Sequence, residues 1–91
     1  MRQLIRTNGE SIAYDKPVSM DAIRGLLGTD ALHVILLKDG IHVMIIDDWG
    51  ATKELPVNIP GTAFYWEKCG GQVDWHIHGD VFICPDDDAN T

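Results

Sequence analysis

The sequence predicts an α+β fold: one small domain with a mostly antiparallel, curved sheet and one main helix. Three observations predict it. Two apolar runs rich in β-branched residues, "ALHVILL" and "IHVMII", flank Asp39-Gly40, a dipeptide favoured in tight hairpins. "VSMDAIRGLLG" carries helix start and stop signals at the correct separation. "QLIRTNGESIAYD" places Asn8-Gly9 between alternating apolar residues, a second hairpin signal.

Taken in order, Asn8-Gly9 is expected to supply the two positive-φ positions of a type I′ turn. In the helix, Ser19 suits the N-cap, Asp21 complements the positive helix end and Gly28 suits the position just past the C-terminus. Val18 and Ile23 stand at staple spacing, and Met20, Ile23, Leu26 and Leu27 form the apolar stripe. Gly25 weakens the helix by roughly 1 kcal/mol relative to alanine, so it must lean on a sheet.

A two-residue turn at Asp39-Gly40 sets Leu36 opposite Val43 and Ile35 opposite Met44. Val34, Leu36, Val43 and Ile45 then share one face, and Ile35, Leu37, Met44 and Ile46 the other. Apolar residues on both faces predict a central strand pair. "DWGATKELPVNIP" reads as a connection that Trp49, Leu55, Val57 and Ile59 pin to the core. "GTAFYW" is expected as a short helix begun after Pro60, with a short strand as the alternative, "EKCGG" as a loop and "QVDWHIHGDVFICP" as the final strands. Residues 1–85 form the expected domain, and residues 86–91 an acidic disordered tail. Closure of the curved sheet toward a barrel is suggested by Gly79-Asp80. Glycine there can take a conformation closed to other residues, and the carboxylate can accept backbone N–H groups.

Ninety-one residues form one core, burying about 60–65% of the unfolded chain's surface. Fourteen acidic against seven basic residues give a net charge of −7, which argues against direct nucleic-acid binding. The same surface can attract a basic protein. "MRQLIRTNGE" turns polar after two apolar residues, and no apolar run approaches the ~18 residues that span a bilayer. The expected compartment is therefore the cytoplasm, with no membrane partner and with Cys69 and Cys84 as reduced thiols.

"DWHIHGDVFICP" admits two readings. Residues two apart on a strand point the same way, so Asp74, His76, His78 and Asp80 could line one face around a divalent transition metal such as zinc. Val73, Trp75 and Ile77 fill the alternate positions, however, and a half-buried strand with one wet face gives the same pattern. The expectation is no cofactor; the alternative is a metal-binding domain on the His76/His78 face with a small-ligand or hydrolytic role. His33 and His42 sit four rungs apart in the hairpin, roughly 13 Å, too far to share an ion. Nucleophilic catalysis needs a base beside its nucleophile. Cys84, inside an apolar run, reads as an inert thiol, and the reading leans away from an enzyme. Candidate binding residues are Trp49, Asn58, Tyr65 and Trp66, with the tail carboxylates Asp86, Asp87 and Asp88.

"IRGLLGTDALHVILLKDGIHVMIIDDWGATKELPVNIPGTAFYW" with "HIHGDVFIC" resembles a family of short proteins of unknown function from phages, plasmids and conjugative elements. The shared order is a helix ending in glycine, a hydrophobic hairpin, an "LPVN" segment at Leu55–Asn58 and a "GDV" strand. Asn58, Gly79 and Asp80 match its pattern, and "FYWEKCGGQ" departs from it. The resemblance implies a non-catalytic accessory protein binding a host or phage macromolecule, with an anti-defence inhibitor as the sharpest version. A homodimer through an exposed sheet face is a further expectation.

Overall fold

A computed structural model describes residues 1–69 and 76–89, with the side chains of Cys69 and Ala89 left out. Five strands form one open antiparallel sheet, with β1 at Gln3–Ile5, β2 at Ser11–Ala13, β3 at Leu32–Leu36, β4 at His42–Asp47 and β5 at Val81–Pro85. Their order is β2-β1-β5-β4-β3. Helices α1 (Met20–Leu27), α2 (Ile59–Cys69) and the single turn α3 (Asp86–Ala89) complete the α+β arrangement. The sheet does not close into a barrel, because β2 and β3 remain at opposite edges. No helix among the described residues is long and apolar enough to cross a membrane.

Alternation along the strands sends apolar side chains to both faces, and each face has its own helix. Leu4, Val43, Ile45, Phe82 and Cys84 meet Ile23 of α1, with Met20, Leu26 and Leu27 around it. Ile5, Met44, Ile46, Val81 and Ile83 meet Phe64 and Tyr65 of α2. Each large apolar side chain so buried contributes roughly 1.5–3 kcal/mol. An eight-residue helix such as α1 cannot stand without that contact. Its ends follow the sequence signals. Ser19 Oγ accepts from Ala22 N–H at 3.1 Å, and Gly28 closes the helix at φ +70°. Val18 joins Ile23 in the same cluster, as a staple requires.

The β3–β4 register is the one expected, Leu36 opposite Val43 and Ile35 opposite Met44. The turn is not two residues long: Leu37 N–H bonds His42 O at 3.0 Å, leaving residues 38–41 as the loop, and Asp39 does not have positive φ. The pair is not central, though. β5 takes the other side of β4, leaving β3 at the edge with Val34 and Leu36 exposed. The first hairpin also differs. Gly9 has φ +91° but Asn8 does not have positive φ, and Arg6 N–H bonds Glu10 O at 2.8 Å. This makes a three-residue loop in place of the type I′ turn, with Asn8 Oδ1 accepting from Glu10 N–H.

Among the described residues there are two substantial helices, not one. α2 runs eleven residues, and Glu67–Cys69, expected in a loop, are its last turn. It begins at Ile59, so Pro60 occupies the first turn, where its missing N–H costs nothing. Trp49, Val57 and Ile59 are exposed and do not pin the connection. Polar contacts do so. Asn58 N–H bonds Ile77 O, and Lys53 Nζ meets the buried Asp47 carboxylate at 2.8 Å. The expected disordered tail begins instead with α3, because Asp88 is buried in an ion pair with Arg2 at 2.6 Å.

Candidate functional site

Hydrogen bonds at the β3–β4 turn gather an acidic end on the sheet. Asp39 Oδ1 accepts from Ile41 N–H at 2.8 Å and His42 N–H at 2.9 Å, and Oδ2 meets His42 Nδ1 at 2.7 Å. These donors, His42 N–H foremost, lower the Asp39 carboxyl to about 2. Asp86 N–H bonds Ile41 O at 2.7 Å, so α3 starts beside this turn and brings Asp86 and exposed Asp87 next to it. Ile41, whose carbonyl Asp86 engages, is 61% exposed. Asp88 turns inward to Arg2, and its hydrogen bond raises the Arg2 pKa further. The result is one exposed aliphatic side chain on a turn that carries Asp39 and adjoins Asp86 and Asp87, with exposed Lys38 in the same turn, a mainly acidic end suited to a basic, partly apolar surface.

The sign of the Asp39 shift fixes an acid limb of stability. A carboxyl lowered in the folded state stabilises above its unfolded value and loses that contribution as pH falls through its folded value. Asp47 is lowered too: burial pushes its carboxyl up, but Lys53, Trp49 N–H and Thr29 outweigh it. Urea midpoints should therefore fall between about pH 4 and pH 2, and Asp39→Ala should flatten that limb. An equally steep limb in the variant would contradict this origin.

The other expected binding residues do not assemble into one surface. Trp49 lies beyond the far end of β4, roughly 17 Å from the acidic end at strand rise. Tyr65 packs on the core, and the Trp66 ring meets His76 edge-on with centroids 5.7 Å apart. Asn58 is 0% exposed and offers no surface at all. Its Nδ2 donates to Ile5 O at 2.8 Å and Gly79 O at 3.0 Å, while Oδ1 accepts from Gly61 N–H at 2.8 Å. It is the N-cap of α2 and also ties β1 to the Gly79 bend.

Of the metal candidates, Asp74 lies outside the described residues. Asp80 accepts from Thr7 N–H at 3.0 Å and Arg6 at 3.2 Å, bracing the first hairpin loop. Gly79 beside it has φ +90°, and Leu55 Cδ1 would lie 2.9 Å from any added Cβ. His76 and His78 do share a hollow of about 140 Å³ with Asp47 and Asp48. His78 Nδ1 is engaged by Leu55 O at 2.8 Å, and Asp47 by Lys53. No three His, Cys, Asp or Glu side chains stand at metal-binding spacing among the described residues. Cys84 is buried, and burial pushes its thiol up to about 11, the property of an unreactive sulfur.

The acidic end was missed as a unit because Asp39, Ile41 and Asp86 meet only through β4–β5 pairing. An exposed isoleucine straight after Asp-Gly was the available signal. No protein-family model, curated protein or solved structure matches the chain.

Proposed function

We propose that this chain is a small non-catalytic binding protein that docks its acidic end, Ile41 with Asp39, Asp86 and Asp87, onto a basic patch of a protein partner. The observation that supports this reading most is an exposed aliphatic side chain on the turn that carries Asp39 and adjoins Asp86 and Asp87, on a chain of net charge −7. Apolar anchors supply affinity, and rim charges supply encounter rate and partner choice. In the phage or mobile-element setting that the sequence resemblance implies, the partner is a host or phage protein, and blocking a defence protein is the sharpest form of the role.

Immobilised protein is expected to retain a basic partner from cell lysate at about 50 mM salt and to release it near 500 mM, where the screening length has shrunk to a few ångströms. The double variant Ile41→Ser, Asp87→Lys should retain none. Retention indifferent to both salt and the variant, or no retention at low salt, would count against the reading.

A further inference from the structure

The free edge of β3 is a separate surface, and it does not rest on the reading above. Ala31 O accepts from Asp48 N–H and Leu37 N–H bonds His42 O, so the odd-numbered residues of this segment turn their backbone groups toward β4. Leu32, Val34 and Leu36 therefore turn theirs outward, with no neighbouring strand on that side among the described residues. Exposed edges are ordinarily blunted by lysine, proline or a bulge. The strand "LHVIL" has none of these, and Val34 and Leu36 are 41% and 61% exposed.

The same residues end an unfinished apolar row. Ile12, Leu4, Phe82, Ile45 and Val34 stand opposite one another across all the strands on the α1 face. The three in the middle are fully buried, whereas Val34 is 41% exposed and, among the described residues, has a strand neighbour on one side only.

We propose that β3 pairs with β3 of a second copy, antiparallel and two-fold about Val34, joining two sheets into one. The outward-facing residues 32, 34 and 36 are symmetric about Val34, the middle of the strand. Only this centre lets every outward N–H and C=O find a partner. Val34 then faces Val34 of the second copy, each Leu32 faces a Leu36, and the apolar row runs on unbroken. Beyond the strand ends the two-fold brings the exposed turn residue Lys38 of one copy toward the exposed bend residue Asp30 of the other, opposite charges at both ends. A foreign strand would satisfy the backbone equally well, but the symmetric centre and the Lys38–Asp30 match belong to self-pairing.

Light scattering on the full chain between about 10 µM and 1 mM should show the mass rising from 10.1 kDa toward twice that value. Val34→Lys should hold it at the monomer mass with an unchanged circular dichroism spectrum, and Leu36→Lys should do the same. A short bis-maleimide linker should cross-link Val34→Cys to itself, because paired Cα atoms in this register lie about 5.5 Å apart, with their Cβ atoms wider than a direct disulfide prefers. A monomer at every concentration would overturn the proposal. So would a dimer that persists in both lysine variants, or one in which Val34→Cys does not cross-link.

Discussion

Asn58→Ala is expected to cost about 4 kcal/mol, from a lost helix cap of about 1 kcal/mol and two buried carbonyls stranded at about 1–3 kcal/mol each. Domains of this size are stable by roughly 0.05–0.15 kcal/mol per residue, so the variant would lie near the edge of folding. Asn58→Asp separates the roles of the two side-chain ends. It keeps an oxygen for Gly61 N–H but turns a second one toward Ile5 O and Gly79 O, where only a donor fits. The ionised form is repelled, so the folded state favours the protonated acid and raises its pKa. A raised acid pKa means that the deficit is smallest below the unfolded value near 4 and grows as pH rises through the folded value. Urea unfolding at pH 7 and pH 4 checks both statements. A loss below about 1 kcal/mol for Asn58→Ala would show that water replaces these bonds.

Features fixed by neighbours in the chain were legible. Ser19 and Gly28 bound α1 because capping is a contact between residues a few positions apart. Asp39-Gly40 set the β3–β4 register for the same reason. Gly79-Asp80 was legible as a bend, although the carboxylate braces the distant loop at Thr7 and not its own turn. Strand order was not legible. Apolar residues on both faces of β3 suggested a central position, but pairing of β1 with β5 brings the two ends of the chain together and leaves β3 outside. Asp88 looked like tail because Arg2, its partner, lies at the opposite end of the sequence. Asn58 looked like a surface residue, since nothing local shows that Ile5 O and Gly79 O converge on it. The candidate site follows the same division: Asp39 was legible as a turn residue, and its neighbour Asp86 was not.

Phe82→Ala should be the other severe variant, at about 4 kcal/mol, and its effect should be uneven across the molecule. Phe82 lies in the middle strand, fully buried between Leu4 and Ile45, with its ring tilted 58° to Tyr14 at 5.5 Å. It fills the layer between the sheet and α1, and truncation would leave a void that the flanking strands cannot close without breaking their pairing. Phe82→Leu, which keeps most of the volume, should cost less than about 1.5 kcal/mol. On the other face, Ile83→Val removes one methyl beneath α2 and should cost roughly 1 kcal/mol. Because each face has its own cluster and helix, amide exchange in Phe82→Ala should speed up in α1 more than in α2. Equal acceleration in both helices would mean that the two layers unfold as one cooperative unit and that α1 has no separate stability to lose. Faster exchange confined to α1 would place the weaker layer on the face where β3 leaves Val34 and Leu36 exposed.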